Sequence, residues 1–194
     1  MGHSQRLVCR NKQGGQVAFS AKCEDAWFEP WDPMGAGAYN YSALHQAQAG
    51  FLPSRNVRVV DRSQTIYLRA VERRTATGAH LLLIPTDDSA VRFYAVEFHV
   101  AAGAISNFPA NSAATRGLMI RRTGLGDVDT KLLDLRPGTP GVLKPRVVQA
   151  PNDAFADGTL RPGSTFTDPV SKRSIKLLSY KDGIAIVHVS IPKE

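Results

Sequence analysis

Two textures alternate along the chain. Beyond about residue 54 the texture changes to short apolar-rich runs, several of them alternating with polar positions, at 57–60, 65–71, 80–84, 92–100, 117–122, 131–135, 174–180 and 184–191. Runs of this length and period, separated by Gly, Pro, Asp or Asn, predict β-strands. Lys181-Asp182-Gly183 supplies a tight-turn signal between the last two. Between 40 and 50 the spacing changes. Tyr41, Leu44, Ala47 and Phe51 recur every three or four residues, with Gly50 as a stop and Pro53 just beyond, which predicts one short helix. Residues 1–38 show no sustained period and are expected to be ordered but mostly irregular. Trp27, Phe28 and Trp31 should pin that segment to the body of the protein, since large rings carry much apolar surface.

Many short strands and few helices predict a mainly β protein, with a β-sandwich-like domain over 54–194 preceded by an irregular segment and one short helix in 1–53. The Pro-rich stretch 136–158 is expected to be a long surface connection. At 194 residues the chain can bury roughly 70% of the surface its unfolded form exposes, so a core needs no staples. No stretch approaches the ~20 consecutive apolar residues of a membrane span.

Composition changes this picture only a little. The net charge is +7 with 24 basic residues, but these occur as singles and pairs such as Arg121-Arg122 and Lys172-Arg173. Scattered charge of this kind is a solvated face, and without a nucleic-acid signature it disfavours a nucleic-acid partner. The two cysteines, Cys9 and Cys23, flank a polar, Gly-containing segment. They suit a disulfide, which would stabilise by about 3 kcal/mol and imply an oxidising, extracellular or periplasmic compartment; two unrelated thiols are the alternative. Residues 1–6 contain no apolar leader segment, so any export signal would lie outside this sequence.

The five histidines, His3, His45, His80, His99 and His188, include no pair three or four residues apart, and there is no HExxH. Spacing alone therefore marks no zinc site. His80, His99 and His188 lie in or beside strands, where a hydrogen-bonded or exposed histidine is the ordinary expectation, and His45 is expected on the polar side of the helix.

Three stretches taken together resemble a known family. They are the run from Cys23 through Asp32-Pro33-Met34-Gly35, the helix ending in Gly50-Phe51-Leu52, and the later Gly163-Ser164-Thr165-Phe166-Thr167-Asp168-Pro169 with the strand after it. In this order they resemble the C-terminal part of gametolysin-type zinc metallopeptidases, which are metzincins related to immune inhibitor A peptidases. The resemblance spans nearly the whole chain.

It implies a distal piece of a catalytic domain over 1–53 and a β-domain over 54–194. It also implies a methionine turn at Met34 and Gly35, and His3 as third zinc ligand. In such a site three neutral imidazoles hold Zn²⁺ with one position open, and a glutamate takes the proton of the bound water. The first two ligands and that glutamate are absent from this sequence, and Met-Gly-His is also an ordinary chain start. The expectation is a secreted zinc endopeptidase acting on peptide or protein, with zinc in the complete family member, little tight binding by this chain alone, and no proteolysis without the missing helix. Tyr39 and Tyr41, near the turn, are expected to serve in packing. The contrasting expectation is a non-catalytic β-sandwich module gripping carbohydrate, protein or a polyanion, which exposed, coplanar rings of Trp27 and Trp31 would favour.

Overall fold

The computed structural model describes residues 2–35, 37, 39–73, 77–87, 91–102, 108–124, 126, 129–139 and 154–192. Among them are twelve strands: β1 (Ser4–Arg10), β2 (Gln16–Val17), β3 (Cys23–Ala26), β4 (Val57–Val59), β5 (Gln64–Arg69), β6 (Leu81–Pro85), β7 (Arg92–Phe98), β8 (Leu118–Gly124), β9 (Thr130–Leu133), β10 (Thr165–Thr167), β11 (Ser174–Lys181) and β12 (Ile184–Ser190). One α-helix, α1 (Ala43–Gln48), lies between β3 and β4. The larger sheet runs β2-β1-β9-β8-β7-β6-β4 with β3 also paired to β1, and the smaller runs β10-β11-β12-β5. In the larger sheet β1 pairs β9 and β4 pairs β6 in parallel, while its other pairings are antiparallel.

The sheets pack face to face, and a single core joins them. From the larger sheet come Leu82, Ile84, Tyr94, Val96, Phe98, Leu118 and Ile120; from the smaller, Ile66, Leu68, Ile175, Leu177, Ala185, Val187 and Val189. These are the even or odd positions of each strand, as the two-residue period of a pleated strand requires. Each such Leu, Ile or Phe contributes about 1.5–3 kcal/mol by leaving water. The protein is thus mainly β with a sandwich-like architecture, as the alternation implies.

The strand expectations at 57–60, 65–71, 80–84, 92–100, 117–122, 131–135, 174–180 and 184–191 all meet a strand within a few residues. Residues 4–26 differ, because β1 to β3 form there and β1 lies inside the larger sheet, bonded to β9 on one side. The expected boundary near residue 53 accordingly falls between strands of one sheet. Local sequence hid β1 because Ser4, Arg6 and Leu7 do not alternate in polarity, although Ser4 and Leu7 are both buried. Of the expected connection at 136–158, residues 140–153 lie outside the described residues.

The outer face of the larger sheet is also covered. Ala43, Leu44 and Leu52, from α1 and the turn after it, pack on Leu81 and Ala95. Trp31, Phe108 and Phe155 pack on Met119 and Leu132. The continuous apolar run Leu81-Leu82-Leu83-Ile84 follows from this, since a strand covered on both sides has no water-facing row. Helix α1 is shorter than the expected 40–50. The Ser42 hydroxyl accepts from the His45 N–H at 3.3 Å and starts it. Gly50, at φ 76°, ends it in the left-handed conformation glycine adopts without a Cβ clash.

Candidate functional site: the methionine turn and the buried polar network beneath it

The turn begins at Asp32, whose buried carboxylate organises it. One oxygen accepts the Met34 N–H at 2.9 Å; the other accepts the Ser42 N–H at 3.0 Å and meets His45 Nδ1 at 2.7 Å. A short 3₁₀ turn follows at Pro33–Gly35. Gly35 is needed for close approach, because a Cβ there would lie 2.6 Å from both the Ser4 carbonyl oxygen and the Glu29 Cβ. Gly37 is equally constrained, by the Pro30 carbonyl oxygen at 2.7 Å. The Gly-punctuated motif thus lets a loop lie directly on β1, one residue after His3. Met34 itself is half-buried.

His3 is exposed. Its N–H donates to Asp129 Oδ1 at 2.7 Å, its Nδ1 lies 3.6 Å from the same oxygen, and its ring meets Trp27 edge-on at 5.6 Å. Among the described residues no three His, Cys, Asp or Glu side chains converge to hold a metal. His3 with Asp129 does not amount to the three-ligand set of a catalytic zinc site, so no zinc chemistry is derived from these residues. Cys9 and Cys23 are joined in a disulfide between directly opposed positions of β1 and β3.

Under the turn lies a network that the sequence did not announce. Arg121, 1% exposed, points outward from β8 into the layer beneath the turn. Its Nε donates to Glu97 Oε1 at 2.9 Å, and one terminal nitrogen lies 3.0 Å from Glu29 Oε2. Glu29 also accepts from the Ser4 hydroxyl at 2.9 Å and the Trp31 N–H at 2.8 Å. Glu97 accepts the Ala43 N–H at the start of α1. His99 meets Glu72 at 2.7 Å, and the second oxygen of Glu72 accepts the Val100 N–H at 3.0 Å.

Burial by itself would raise every carboxyl in this layer. At Glu97 the Arg121 charge and His99 overcome it and hold the group well below the usual range. Asp32 is likewise held low, by the His45 hydrogen bond and Arg121. Glu29 goes the other way, because burial outweighs Arg121 and Asp32 adds repulsion. Burial would lower His99, but Glu72 and then Glu97 push it up to about 10. The network is a set of compensated charges welding the turn, α1 and β7–β8 together, a structural arrangement rather than an open reaction centre.

His45 is a correction: it faces inward, fully buried against Asp32, instead of lying on the polar side of the helix. His80 is buried and bonded to the Ala70 carbonyl oxygen at 2.8 Å, and His188 meets the Thr65 hydroxyl at 3.1 Å. Tyr39 stacks on Phe108 at 5.1 Å and takes the packing role expected of it. The two tryptophans part company. Trp27 is 71% exposed, whereas Trp31 is 3% exposed, with its Nε1–H donating to the Phe155 carbonyl oxygen at 3.3 Å. The one sequence signal for the network was charge inside apolar strands, Glu97 between Val96 and Phe98 and Arg121 after Ile120. Among the described residues no helix is long and apolar enough to cross a membrane. Compared with known proteins, the chain matches no family model, no curated protein and no solved structure.

Proposed function

We propose that this chain is the distal portion of a secreted, gametolysin-like zinc metalloendopeptidase, in which His3 serves as third metal ligand above the Met34-Gly35 turn. The observation that carries this reading is the seating of Gly35 against the Ser4 carbonyl, which sets the methionine turn under the start of β1, next to His3. The order of disulfide loop, turn, short helix and β-domain is in keeping with it, and the Cys9–Cys23 bridge is compatible with an oxidising compartment. In this reading the chain contributes the floor of the site and one ligand; two ligands and the general base come from an upstream helix, so the chain alone binds no zinc tightly and cleaves nothing.

The test is to read the coding region upstream of Met1 for an HExxH helix and to produce the chain with and without it. The expected result is one zinc per chain and casein hydrolysis only with the upstream segment, both lost in His3→Ala. Stoichiometric zinc or clear hydrolysis by the chain alone overturns the proposal, as does an upstream region without the motif.

A second reading, a non-catalytic module for carbohydrate, protein or polyanion, is favoured by the exposed ring of Trp27. Trp31 gives it no support, because its buried ring cannot form a paired platform with Trp27.

A further inference from the structure

At one end of the sandwich the two sheets part around a cleft of about 900 Å³, within the ~300–1,000 Å³ range of ligand pockets. Neither His3 nor Met34 lines it. Its walls carry Arg92 at the start of β7, Arg122 on β8, Lys131 on β9 and Arg173 just before β11, with Phe19 from the β2–β3 connection. Three acids share the walls, and each already has a partner within the protein. Asp25 is paired to Lys131 at 2.7 Å. Asp168 accepts the Tyr94 hydroxyl at 2.9 Å, the Ser171 hydroxyl at 2.9 Å and the Val170 N–H at 2.7 Å. Asp87 is exposed and has a partner of its own.

The cations are not all balanced in this way. Among the described residues neither Arg92 nor Arg122 makes an ion pair. The Arg122 guanidinium lies over the Phe19 ring, 4.9 Å from its centroid, so packing fixes its orientation. Its Nε is buried with no hydrogen-bond partner among the described residues. A buried donor left unmet is costly, and a planar fork held in place is the geometry that grips a carboxylate by two parallel bonds.

We propose that this cleft binds an acidic peptide segment, with Arg122 taking an Asp or Glu carboxylate and Arg92 supporting it from the neighbouring strand. A peptide fits better than an acidic polysaccharide. The Phe19 face that would stack on a sugar ring is occupied by Arg122, while Val170 and Pro192 offer apolar contact for flanking side chains. The inference stands independently of the peptidase reading, since it uses none of the residues of the turn.

Fluorescence anisotropy with a labelled hexapeptide of alternating Glu and Ala tests it on the full chain. We expect saturable binding that weakens at least tenfold with Arg122→Gln, several-fold with Arg92→Gln, and at least tenfold when every Glu of the peptide is Gln. Arg58→Gln, an exposed charge outside the cleft, should stay within twofold. If Arg122→Gln fails to fold, the exposed Arg92 carries the test. No binding at millimolar peptide, an equal loss in Arg58→Gln, or tighter binding of trigalacturonate or inorganic phosphate than of the peptide overturns the proposal.

Discussion

Strand β12 of the smaller sheet alternates buried Ala185, Val187 and Val189 with half-buried Ile184, Ile186 and His188, whereas β7 of the larger sheet buries Tyr94, Ala95, Val96, Glu97 and Phe98 in succession. Both strands face the same core with every second residue. Their other faces differ. The outer face of β12 meets water, so a histidine there costs nothing to hydrate. The outer face of β7 lies under α1 and the Asp32 turn, so Glu97 needs Arg121 and a backbone donor. A face that is covered turns each charge on it into a structural commitment to its partner.

That contrast can be broken most directly at Arg121. Arg121→Met leaves Glu97 and Glu29 buried without their cation, and removing one partner of such a set costs about 3–5 kcal/mol. Urea denaturation should show a loss of that size. A loss below about 1 kcal/mol would mean that water reaches the layer.

A pH series sharpens the comparison at His99, whose charged form Glu72 and Glu97 favour. Its folded value near 10 lies above the ordinary 6.5, so its stabilisation is fully present below about pH 6.5 and fades as pH rises through 10. His99→Gln should therefore lower stability by about 2 kcal/mol at pH 6, and the gap to the unaltered protein should narrow toward pH 10–11. A gap that stays constant across that range would place a neutral imidazole at this position. The smallest effect belongs to the smaller sheet: Lys176→Ala, on its water-facing row beside His188, should change stability by no more than about 0.5 kcal/mol.

The same contrast explains which elements were legible. Ile184 to Ser190 could be assigned from its run of β-branched residues after a tight-turn signal, with His188 and Ser190 marking the row that faces water. Helix α1 could be placed, but its length could not, because Ser42 and Glu97 together fix its start. Strand β1 was hidden since both its faces are covered, and the polarity of Ser4 is absorbed by Glu29 and Thr130. The Asp32-Pro33-Met34-Gly35 motif could be picked out; that its aspartate serves His45 and Ser42 could not.

Sequence alone determined what depends on neighbours along the chain: strand periodicity, the Gly50 stop and the turn at Lys181-Asp182-Gly183. That Gly35 must be glycine was decided by the Ser4 carbonyl laid against it. Tertiary structure decided which faces are covered, that Cys9 lies opposite Cys23, and that Arg121 meets Ser4, 117 positions away. It also decided that Arg92 and Arg122 share one cleft. The physical reason is that backbone preference is local, whereas the cost of a charge depends on what the fold lays over it.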